Sequence, residues 1–101
     1  MALLTIEFFD DGPETTNAPQ CVYGTLISSV EDTSLSTTVE HAAVPDNALY
    51  CSIYTDTAAY IEIGSGNQDC AAGRRSTIPG TGQRYDFKVK PTDTVSYRSI
   101  A

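Results

Sequence analysis

The stretch Arg84–Lys90 alternates with a period of two: Tyr85, Phe87 and Val89 point one way, Arg84, Asp86, Lys88 and Lys90 the other. Successive side chains of an extended chain leave on opposite sides, so this spacing suits a strand with one buried and one wet face. Ala48–Thr55 repeats the pattern, with Leu49, Cys51 and Ile53 opposite Tyr50, Ser52 and Tyr54. No window carries a sustained i, i+3, i+4 apolar stripe, and Ser and Thr supply 22 of the 101 residues. Helices are therefore not expected, and the chain must fold as sheet.

Other segments follow the same rule. Leu3–Phe9 sets Leu4, Ile6 and Phe8 on one side, and Ala58–Ile63 sets Ala59, Ile61 and Ile63 against Tyr60 and Glu62. Thr94–Ile100 groups Val95 with Tyr97. Gln20–Val30 is long enough for a bent strand with Gly24 as a bulge, and Ser34–Val39 reads as a weak edge strand built on Leu35, Thr37 and Val39. Turn residues separate these runs at Asp10-Asp11-Gly12-Pro13, Asn17-Ala18-Pro19, Pro45-Asp46-Asn47 and Pro91-Thr92-Asp93. Thr55-Asp56-Thr57 is short enough for a hairpin, and the longest loop runs from Gly64 to Gly82. The length fits one domain over residues 1–101. Seven to eight short strands at this spacing predict an all-β fold, an antiparallel β-sandwich or a jelly-roll-like small barrel.

The charges are unevenly spread. Residues 1–73 hold eleven Asp and Glu and no Lys or Arg, whereas residues 74–101 hold all six cations and only Asp86 and Asp93. The net charge of −7 would repel phosphate, so no nucleic-acid partner is expected. No run of 18 apolar residues exists, and no membrane partner is expected. Met1–Phe9 is apolar but lacks a basic start and is interrupted by Glu7, which argues against a signal peptide.

Candidate chemistry is sparse. Cys21, Cys51 and Cys70 show no CxxC spacing; they read as free thiols, with one disulfide and a spare thiol as the alternative. His41 is the only histidine, too little for a zinc site and with no nucleophile motif beside it. Asp10-Asp11-Gly12 lacks the alternating oxygen ligands of a calcium loop, and no lysine or helix start follows Gly64-Ser65-Gly66. No catalytic residue, cofactor or metal ligand is expected, and the chain does not read as an enzyme.

The cations and tyrosines carry more weight. Arg74 and Arg75 lie in the long loop, while Arg84, Lys88 and Lys90 share one face of one strand. They form either an ordinary solvated face or a contact surface for something acidic, including a second copy of the chain. Tyr50, Tyr54 and Tyr60 fall opposite the apolar faces of their strands, where half-exposed rings also suit interfaces. The candidate interface is thus Arg74, Arg75, Arg84, Lys88, Lys90, Tyr50, Tyr54 and Tyr60.

Thr57-Ala58-Ala59-Tyr60-Ile61-Glu62-Ile63-Gly64, then Ile78-Pro79-Gly80, then Tyr85-Asp86-Phe87-Lys88-Val89-Lys90-Pro91 and Asp93-Thr94-Val95 resemble small β-rich virion accessory proteins of tailed bacteriophages, of the capsid decoration or cement type. The resemblance covers about half the chain. It carries no catalytic or ligand residue, and Arg74-Arg75 and the three cysteines depart from it. It implies a sandwich-like homo-oligomer, a dimer or trimer, that binds the major capsid protein on the exterior of a virion after synthesis in the host cytoplasm. The alternatives are a head–tail connector or tail- or fibre-associated virion protein, and a small carbohydrate- or receptor-binding β module.

Overall fold

The structure is a computed structural model and describes residues 3–10, 14–15, 21–22 and 25–100. Its strands are β1 (Leu4–Phe9), β2 (Glu14–Thr15), β3 (Cys21–Val22), β4 (Leu26–Asp32), β5 (Glu40–Ala43), β6 (Tyr50–Thr55), β7 (Ala59–Ser65), β8 (Ser76–Ile78), β9 (Arg84–Lys88) and β10 (Asp93–Ser99). Eight of them make two antiparallel sheets, β4-β1-β6-β9 and β5-β10-β7-β8, while β2 and β3 pair with each other. The fold is all-β, as the alternation predicted.

Three pairs are nested along the chain, β7 with β8, β6 with β9 and β5 with β10, while β1 and β4, both earlier in the chain, pair with each other. Rolling such an antiparallel ribbon produces the double-sheet jelly roll. The barrel does not close: β8 pairs with β7 over residues 59–61, while Ile61, Glu62 and Ile63 of β7 and Phe87 and Lys88 of β9 line one open cleft. The result is a sandwich of two sheets.

Leu4, Ile6, Phe8, Ile53, Ile61, Ile78 and Val95 are completely or almost completely buried between the sheets. Each such side chain contributes roughly 1.5–3 kcal/mol by leaving water. Tyr97 joins this core, and its hydroxyl bonds Asp32 on the opposite sheet; burial, followed by the charge of Asp32, pushes its pKa up to about 12.

Several expectations change. Ser34–Val39 is not a strand: Asp32 Oδ1 accepts from the Ser34 amide and Ser36 Oγ from the Thr38 amide. Short polar side chains offer the backbone local partners in place of a ladder. The segment instead crosses between sheets, burying Leu35 and accepting the Ser99 amide on the Ser36 carbonyl. The neighbouring strand is β5, which the sequence hid because only Ala42 of its four residues is buried. Gln20–Val30 divides into β3 and β4, and the bulge lies where Phe8 and Phe9 face β4; Gly24, Asp11-Gly12-Pro13 and Asn17-Ala18-Pro19 lie outside the described residues. Thr55-Asp56-Thr57 is no hairpin, since it carries the chain from one sheet to the other. The long loop contains β8, and Leu49 is 46% exposed because Ala48 takes the buried place before β6.

Candidate interaction surfaces

The register between β6 and β9 places Tyr50 opposite Lys88 and Tyr54 opposite Arg84. Alternation sends all four to the outer face of the first sheet, because Cys51, Ile53 and Phe87 pack inward. Four of the eight interface candidates thus meet on one solvent-facing surface. Between the tyrosines sits Ser52, only 2% exposed, covered by an ion pair between Arg84 and Glu7 that spans β6. Tyr50 continues a row through Phe9 to Leu26, which is 48% exposed. Lys90 does not belong to this face. It lies in the turn after β9, where its amide donates to Asp93 Oδ2.

The other candidates gather on the outer face of the second sheet. Glu62 projects from β7 and is 7% exposed, because the loop between β7 and β8 folds back over it. Its Oε1 accepts the Cys70 amide at 2.9 Å and its Oε2 accepts Arg74 Nε at 2.9 Å. Arg74 also reaches Asp69 at 2.7 Å. Those two carboxylates hold the Arg74 guanidinium above its ordinary pKa, Glu62 first by hydrogen bond and then by charge. Arg75 turns the other way and stacks 3.5 Å from the centroid of the Tyr60 ring. Arg98, the cross-strand neighbour of Tyr60, approaches the same ring at 4.7 Å.

Adjacent to this cluster, register aligns His41, Ser96 and Glu62 across three strands. These residue types could suggest a nucleophile relay, but their order is unsuitable. Ser96 is fully buried, and its Oγ lies 2.9 Å from His41 Nδ1 while accepting the Gln68 amide at 3.1 Å. Glu62 is engaged by Cys70 and Arg74, so it does not orient the histidine as a triad carboxylate would. The row pins the loop to the sheet.

A shallow cleft of about 320 Å³ opens where β8 ends and the sheets part, lined by Ile61, Ile63 and Phe87 together with Arg74, Lys88 and Asp93. No group of three or more His, Cys, Asp or Glu among the described residues could hold a metal ion. Cys51 and Cys70 are free and buried. Burial, then the Asp86 charge, pushes the Cys51 thiol up to about 12; burial, then Glu62, raises that of Cys70.

Sequence reasoning grouped the cations into one basic surface, whereas the fold divides them between two sheets. It omitted Arg98, whose relation to Tyr60 exists only across the β7–β10 register. The alternation of Tyr97 with Arg98 already placed Arg98 on an outer face; only the pairing supplies its neighbour. No protein-family model, curated protein or solved structure matches this chain.

Proposed function

We propose that the protein is a structural virion component, a capsid decoration or cement subunit, docking through the outer face of its first sheet. The observation that carries this reading is the cross-strand register that places Tyr50 opposite Lys88 and Tyr54 opposite Arg84. It sets two amphipathic rings and two cations on adjacent hydrogen-bonded strands, so little backbone ordering is left for binding. Tyrosine and arginine are also the residue types that dominate binding hot spots. The choice of partner rests on the phage resemblance, whose segments overlap β7, the end of β8, β9 and β10.

The same sheet supports a homo-oligomeric reading. Its two outer strands differ in sign: β4 carries Glu31 and Asp32 and no cation, while β9 carries Arg84 and Lys88 around Asp86. An edge of one charge meeting an edge of the other gives a head-to-tail contact, which closes into a ring such as a trimer when the rotation permits. Weak contacts repeated over a lattice then add through multivalency.

Co-sedimentation with capsids of the phage that encodes the chain tests the reading. Saturable binding at a stoichiometry near that of the shell protein, reduced in Tyr50→Ala/Lys88→Glu, is the expected result. Binding at only a few copies per particle points to a connector or tail role. No co-migration at excess protein removes the virion reading.

A further inference from the structure

We propose that Tyr60, Arg75 and Arg98 form a binding site for a surface Asp or Glu carboxylate of a partner protein, on the sheet opposite the docking face described above. The site does not depend on the virion reading. Its central fact is two guanidiniums on one ring, at 3.5 and 4.7 Å from the centroid, so their carbons are no more than about 8 Å apart, the sum of the two distances. Neither makes an ion pair among the described residues, because Arg74 takes both Glu62 and Asp69. Each is positioned instead by a backbone carbonyl: Arg75 Nη1 donates to Cys70 at 3.2 Å and Arg98 Nη1 to Ser99 at 2.9 Å.

A guanidinium has five N–H donors, and these bonds use one on each. The remainder of each fork is available for a carboxylate, which matches it in a bidentate pair. Two like charges at this spacing repel, and the face of the ring offsets only part of that cost. A bound anion offsets more. The strands fix the arrangement in advance: Tyr60 and Arg98 are register partners, and Arg75 directly precedes β8, whose Thr77 flanks Tyr60 on the other side. A single surface carboxylate matches a free guanidinium fork locally, whereas an extended polyanion such as a nucleic-acid backbone would be repelled over many contacts by a chain of net charge −7.

The test follows the arginine Nε–Hε signals of the whole protein by ¹H–¹⁵N NMR during titration with an end-blocked triglutamate peptide, and separately with inorganic phosphate. We expect saturable shifts at Arg75 and Arg98, smaller ones at Arg74 and Arg84, and binding about tenfold weaker in Arg98→Gln. Arg75→Lys keeps the charge but loses the planar stack, and it should also weaken the peptide while leaving the backbone amide spectrum folded. Equivalent shifts on concentrating the protein alone support the site and identify a second copy as the source of the carboxylate. Absence of saturation, phosphate binding tighter than peptide, or undiminished peptide binding in folded Arg98→Gln overturns the proposal.

Discussion

Arg74 and Glu62 meet at 2.9 Å, joining an arginine that is mostly in solvent to a carboxylate that is almost wholly buried. The pair is the clasp that holds the β7–β8 loop against the outside of the second sheet. The second oxygen of Glu62 serves the Cys70 amide, so one side chain satisfies both a charge and an orphan backbone donor.

Glu62→Ala removes both contacts. The solvent exposure of Arg74 reduces the contribution of the ion pair, and the larger loss is the buried Cys70 amide left without an acceptor, about 1–3 kcal/mol. Urea unfolding should report that drop. Amide hydrogen exchange at Cys70 and Gln68 should accelerate more than at Ile53; uniform acceleration would mean that the clasp is not local.

Gly80 stands against the turn between the sheets. A Cβ there would lie 2.6 Å from the backbone of Thr57 and the amide nitrogen of Ala58. None of these atoms is the movable end of a side chain. Gly80→Ala should therefore cost roughly 1–3 kcal/mol, as overpacking does, and lower the thermal midpoint. An unchanged midpoint would show that the turn yields freely.

Cys51 and Cys70 are buried with raised pKa values, so both remain thiols near neutral pH. In a Cys21→Ser variant, which leaves only these two, Ellman's reagent at about pH 8 should find no rapidly reacting sulfur until denaturant is added. Fast labelling of either would contradict its burial.

Asp56 accepts the Leu3 amide at 2.8 Å, and its pKa falls below the ordinary 3.8, first through that bond and then through the Thr57 hydroxyl. A depressed folded pKa means that the stabilisation is present above 3.8 and is lost as pH falls through the folded value. The difference in urea midpoint between the wild type and Asp56→Ala should shrink as the solution passes from about pH 7 to about pH 2. A constant difference would assign the effect to something other than the carboxylate charge.

Much of the fold was legible one strand at a time. Leu4, Ile6 and Phe8, or Val95 and Tyr97, alternate because each strand packs one face inward, and a period of two is a local property of the chain. Among the strands that escaped notice, β5 and β8 bury one residue each and exist because β10 and β7 offer them a ladder. Ser34–Val39 misled for the opposite reason: its alternation was present, but local side-chain bonds took the amides a ladder would need.

For the surfaces, the sequence by itself determined the in–out alternation within most strands and that every cation lies in the last part of the chain. Only the tertiary structure decided which of those cations are paired. Arg74 and Arg75 are adjacent in sequence, yet one is engaged by Glu62 and Asp69 while the other lies on Tyr60 beside Arg98. Charge along a chain is additive and can be counted. Pairing depends on distances across strands, and those are set by register and by the path of the loop over the sheet.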